Sequence, residues 1–79
     1  MENTEQTLGQ YRVGVSFNPG GHETVNEIKR KAAEFIDYLE DFKKTKVISA
    51  EEGRLISLAQ TNIEDAAMWG VKAVTKPAR

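Results

Sequence analysis

The residues best placed to do chemistry form a glycine-rich turn, Phe17-Asn18-Pro19-Gly20-Gly21-His22, that runs straight into a helix signal. Proline presets φ and the glycines accept positive φ, which marks a turn. A helix start presents N–H groups without intrahelical partners, and nearby glycines let a ligand approach, so an anion such as a phosphate suits this position. Phe17 and Tyr11 offer flat faces on which a base can stack. His22 can donate to a phosphate or pack on a ring, and Lys29 adds a positive charge further along the helix. The plainer alternative is an ordinary helix-capping loop with Phe17 folded into the core. Spacing alone favours that alternative, because glycine-rich helix starts are common.

A second cluster lies near the C-terminus. Lys72 and Lys76 are four apart and share a helix face, with Thr75 between them and Arg79 beyond. Cations at a helix C-terminus suit its dipole. The functional alternative is a phosphate-binding ring formed where several such termini meet. Lys29-Arg30-Lys31 is opposed by Glu27 and Glu34 and reads as a solvated face. Glu64 and Asp65 are neighbours on a helix and point about 100° apart, so they do not converge as catalytic carboxylates do. Solvation or a bond to a neighbouring subunit is the expected role for them. A nucleophile needs a nearby base, and the single histidine, His22, sits in a turn with no serine–histidine–aspartate pattern. Enzymatic activity is not expected. With no cysteine, neither disulfides nor a Cys/His zinc site can form, and no metal or cofactor is implied.

These residues must be positioned by helices. Residues 1–23 hold Gly9, Gly14, Gly20, Gly21 and Pro19 and read as an irregular arm with room for a short helix or extended piece, in which Gly14 interrupts a weakly alternating Tyr11–Phe17 stretch. Thr24 with Glu27 fits a capping box. A seam of Val25, Ile28, Ala32, Phe35, Leu39 and Phe42 follows, widened by Ile36, and the helix fades in the basic residues 43–46. Ser49 with Glu52 fits a second box. Leu55, Ala59, Asn62, Ala66, Trp69 and Ala73 form the next seam, accompanied by Leu58, Ile63, Met68 and Val71, until Pro77 stops the helix. Asn62 reads as a polar residue that fixes helix register or subunit pairing, with a ligand contact as the alternative, and Trp69 as an interface anchor ahead of a stacking platform. The short polar link dictates an antiparallel hairpin over residues 24–76. The expectation is an all-α single domain, an antiparallel helical hairpin with an N-terminal irregular arm.

Size and charge set further bounds. At 79 residues, with no disulfide or zinc available, the chain is short for a self-sufficient core, and association with other copies is expected. The apolar surplus on the second helix has the same implication, through Trp69, Met68 and Val71. A net charge of −1 disfavours binding to nucleic acid polymers. No apolar run approaches the ~20 residues of a membrane span, and the polar, acidic start is unlike a secretory signal. A soluble protein without a membrane partner is expected.

The run Leu58-Ala59-Gln60-Thr61-Asn62-Ile63-Glu64-Asp65-Ala66-Ala67-Met68-Trp69-Gly70-Val71-Lys72-Ala73-Val74-Thr75-Lys76 resembles the helical-hairpin signature of the phage anti-CBASS protein 2 family. Phe17-Asn18-Pro19 and Lys29-Arg30-Lys31-Ala32-Ala33 are similar to that family as well, so the likeness spans about residues 11–77. The same hairpin occurs within a larger, β-containing phage anti-Thoeris protein, whose extra strands this chain has no room for. The resemblance implies a homohexamer, acting in the host bacterial cytoplasm, that sequesters cyclic nucleotide messengers of CBASS immunity without cleaving them. It places a cyclic dinucleotide pocket between two protomers at Tyr11, Phe17, Asn18, Pro19, His22 and Lys29. It places a cyclic trinucleotide pocket at Lys72, Thr75 and Lys76, where three protomers meet. The competing expectation is a ligand-free helical-hairpin oligomer serving as a structural or protein-binding adaptor.

Overall fold

The computed structural model describes residues 5–77. Three helices make it up: α1 (Leu8–Val13), α2 (Glu23–Thr45) and α3 (Ala50–Thr75). No strand occurs among the described residues. The expected all-α hairpin is formed by α2 and α3, and α1 packs against both, mainly against α2. The result is a slab of 48 × 38 × 12 Å measured over Cα atoms. None of the described helices is long and apolar enough to cross a membrane.

Of the short helix and the extended piece that the arm allowed, it forms the helix, α1. Thr7 and Gln10 make a reciprocal capping box: the Gln10 N–H donates to Thr7 Oγ1 at 3.1 Å, and the Thr7 N–H donates to Gln10 Oε1 at 3.0 Å. Gly14, at φ 65°, ends α1 in the left-handed region that only glycine enters cheaply. The Thr-x-x-Gln spacing and Gly14 are thus the local start and stop of α1.

α2 begins differently from expectation. Its N-cap is His22, whose Nδ1 accepts from the Val25 N–H at 3.4 Å, and the Thr24–Glu27 box does not form. Gly21, at φ 59°, turns the chain so that His22 takes the extended cap conformation one residue before the helix. Glu27 instead accepts from Arg30 at 2.6 Å, a charge-assisted bond stronger than the one a backbone N–H offers. The second box forms as expected, with Glu52 N–H to Ser49 Oγ at 3.0 Å and Ser49 N–H to Glu52 Oε1 at 2.9 Å.

The buried faces are rotated from the expected seams. In α2 the buried line is Val25, Lys29, Ala33 and Ile36, while Phe35 and Phe42 are exposed. In α3 it is Ile56, Gln60 and Ala67, while Leu55, Asn62 and Trp69 are exposed. A step of one residue turns a helix face by about 100°. The seam read for α3 lies largely outside the hairpin, whereas in α2 Val25 is buried and Ile28, Ala32 and Leu39 are half-buried at its margin. Each helix carries two apolar lines, and small residues decide between them. Ala33 lets α1 approach so closely that a Cβ on Gly9 would lie 2.2 Å from the Ala33 carbonyl oxygen. Within the hairpin the polar side chain that ties α3 to α2 is Gln60, while Asn62 is exposed. The Gln60 side chain is 2% exposed and its Nε2 donates to the Ile36 carbonyl at 3.1 Å and to Glu40 Oε1 at 3.2 Å.

Candidate ligand-binding site

The loop from Gly14 to His22 is held from both ends. Asn18 braces the later half: its Oδ1 accepts from the His22 N–H at 3.1 Å and its Nδ2 donates to the His22 carbonyl at 2.9 Å. The Gly21 N–H closes the turn on the Asn18 carbonyl at 2.9 Å. Lys29 holds the earlier half. Its ammonium reaches back from the second turn of α2, donating to the Gly14 carbonyl at 3.0 Å and to the Phe17 carbonyl. It also lies 5.4 Å from the centroid of the Phe17 ring, within cation–π range. Lys29 is therefore buried, at 8% exposure, and does not belong to the solvated basic face expected for residues 29–31. Arg30 does: it pairs with Glu27 and with Glu34 at 2.9 Å, and its hydrogen bond holds the Glu27 carboxyl below the usual carboxylate value.

Two adjoining grooves result. One, of about 240 Å³, is lined by Phe17, Asn18, Pro19, Gly20, His22, Val25 and Lys29 on one side and by Val71 and Thr75 of α3 on the other. The second, of about 360 Å³, lies between Tyr11, Arg12, Val13 and Gly14 and the α3 residues Glu64, Ala67, Met68 and Val71. Lys29 and Val71 line both. Five of the six residues expected for a dinucleotide site thus share one groove, and Tyr11 stands in the next. Phe17 is 72% exposed and Tyr11 73%, so neither ring is core and both present free faces.

The second expected set is not assembled within one chain. Thr75 faces the Phe17 groove, its hydroxyl donating to the Val71 carbonyl at 2.7 Å. Lys72 lines neither groove; its ammonium lies 5.2 Å from the Trp69 ring centroid. Lys76 is the C-cap of α3.

Arg12 stands outside the residues expected at the site. Its Nε donates to Glu64 Oε1 at 2.9 Å and its Nη2 to Thr61 Oγ1 at 3.3 Å, joining α1 to α3 beside the second groove. Glu64 is accordingly engaged within its own chain. No local pattern announces a pair 52 residues apart. No group of acidic or histidine side chains suited to a metal ion occurs among the described residues.

Residues 10–75, which include both grooves and every expected site residue except Lys76, match the family described as Acb2/Tad1, hairpin domain. The chain belongs to that family. The Acb2/Tad1 hairpin is a fold of phage anti-defence sponges, ligand-binding proteins rather than enzymes. Separate comparisons with curated proteins and with solved structures returned no match. The Acb2/Tad1 match agrees with the all-helical hairpin and with the resemblance read from the Leu58–Lys76 run.

Proposed function

We propose that this Acb2/Tad1 hairpin binds cyclic dinucleotides, and cyclic trinucleotides at a separate place, and sequesters them intact so that a bacterial CBASS effector is not switched on. One observation carries the reading: two exposed aromatic rings, Tyr11 and Phe17, flank a buried ammonium, Lys29, across adjoining grooves. That arrangement suits a ligand with flat bases at its ends and phosphate between them. A lysine ammonium carries three N–H donors; two hold the loop and the third is available to a phosphate oxygen. Asn18 and Pro19 keep the Phe17 ring presented, and His22 borders the same groove.

Sites for small molecules usually measure about 300–1,000 Å³ and enclose most of the ligand. The Phe17 groove, at about 240 Å³, falls below that range, and the Tyr11 groove, at about 360 Å³, stands near its lower end. A second copy completes the site in this reading. Leu55, Leu58, Met68 and Trp69 of α3 are all exposed and supply the apolar surface for a homo-oligomer, a hexamer as in the resemblance. Symmetry then gathers Lys72, Thr75 and Lys76 of three protomers into the trinucleotide pocket. Sequestration needs only binding, so neither a metal nor a cofactor has a role. Calorimetric titration with cyclic di- and triadenylate and with cyclic GMP–AMP tests the reading. Saturable binding of at least one compound is expected; no heat with any of them would favour a ligand-free adaptor.

A further inference from the structure

Tyr11 poses a positioning problem. Its ring is 73% exposed, so packing does not place it; the α1 backbone does. Yet α1 has six residues, far below the ~12–15 at which an isolated helix becomes even marginally stable in water. Its order must come from its attachments to the hairpin. At its start, the Gly9 N–H donates to Asp37 Oδ1 of α2 at 2.7 Å, over the close approach of Gly9 to Ala33. At its end, Arg12 is held by Glu64 and Thr61 of α3. Tyr11 stands between these two tethers, adjacent to the second.

We propose that Asp37 is a positioning residue for the ligand site, acting through α1 to fix the Tyr11 ring from outside both grooves, while Glu64, which lines the second groove, holds the other end of α1 through Arg12. Resting on the cyclic dinucleotide reading above, the inference adds to it the part of the molecule that sets affinity from a distance. Asp37 is the more informative of the two, because it lines neither groove that holds the expected ligand contacts. An anionic acceptor at the start of α1 also satisfies an N–H that the helix itself leaves free and complements the helix dipole. Gly9 belongs to the same device: any side chain there meets the Ala33 backbone and pushes α1 off α2.

The test is a double-mutant cycle on cyclic GMP–AMP affinity, measured by calorimetry on the full chain, with oligomeric state checked by light scattering. Asp37→Ala is expected to weaken binding about tenfold, in line with the loss of a hydrogen bond to a charged group. Asp37→Asn, which keeps an acceptor oxygen, is expected to restore most of the affinity. In a Tyr11→Ala background, adding Asp37→Ala is expected to cost less than about twofold, because residues that act through one another are not additive. An equal loss in both backgrounds would overturn the positioning role and leave Asp37 as a general stabiliser. Wild-type affinity in Asp37→Ala, against a wild-type chain that binds, would overturn it outright while sparing the sponge reading. Failure of the wild-type chain to bind would overturn both.

Discussion

At the residue scale, the feature that ties fold to site is the Lys29 ammonium. A buried charge is costly unless it is well partnered, and here two loop carbonyls, those of Gly14 and Phe17, partner it, with the Phe17 ring beside them. Removing it takes the donor from the Phe17 carbonyl, while the Gly14 carbonyl keeps the Phe17 N–H at 2.9 Å, and it frees the loop that presents Phe17. Lys29→Ala is therefore expected to lower stability by about 1–3 kcal/mol, measured by urea denaturation, and to weaken cyclic dinucleotide binding as well. Phe17→Ala is the cleaner probe of the site, since an exposed ring contributes little to the core. It is expected to cost about 1–3 kcal/mol of cyclic dinucleotide affinity, as a lost stacking contact does, with little change in the urea midpoint. The reverse pattern, lost stability with unchanged affinity, would return Phe17 to the helix-capping role that spacing alone favoured.

At the element scale, the sequence was legible where the signal is local and ambiguous where partners compete. Ser49 and Glu52 make the expected capping box because nothing better reaches either group. Thr24 and Glu27 do not, because Arg30 takes the carboxylate and the Asn18–Gly21 turn installs His22 as the cap. The existence of both long helices followed from periodicity. Which apolar line faces inward did not, because it depends on Gly9 meeting Ala33 and on Gln60 finding the Ile36 carbonyl, contacts across long stretches of chain. The residues proposed for the dinucleotide site could be grouped from the sequence because four of them, Phe17, Asn18, Pro19 and His22, lie in one short turn. Their dependence on Lys29 as a loop brace could not.

The α2–α3 junction also carries a pH dependence. The Glu40 carboxyl is held below the ordinary glutamate value of 4.5, first by the hydrogen bond from Gln60 and then by Lys43 and Lys44, against the opposing effect of partial burial. A depressed folded-state value means stability that is present above the unfolded value and is lost as pH falls through the folded one. In urea unfolding followed from neutral pH to well below 4.5, Glu40→Gln is expected to lose less stability than the wild-type chain. A parallel decline in both would remove Glu40 from the account.

For the whole molecule, the rotated seams change what the exposed apolar surface means. Leu55, Leu58 and Trp69 form a line on α3 with no cover inside the hairpin, in a chain whose own core is small. In the proposed assembly, Trp69→Ala is expected to shift the population toward smaller species by light scattering, as loss of an aromatic anchor does, and to reduce binding because the neighbouring copy no longer covers the grooves. Lys72→Ala is expected to spare cyclic dinucleotide binding and damage cyclic trinucleotide binding. Equal damage to both would mean that the two sites are one, or that the assembly had broken. The central claim, capture without cleavage, is tested most directly by incubating the chain with cyclic GMP–AMP, washing away free nucleotide by filtration, denaturing the retained protein and chromatographing what it releases. The account predicts intact cyclic nucleotide in the retained fraction. Linear product, or no nucleotide retained at all, would contradict it.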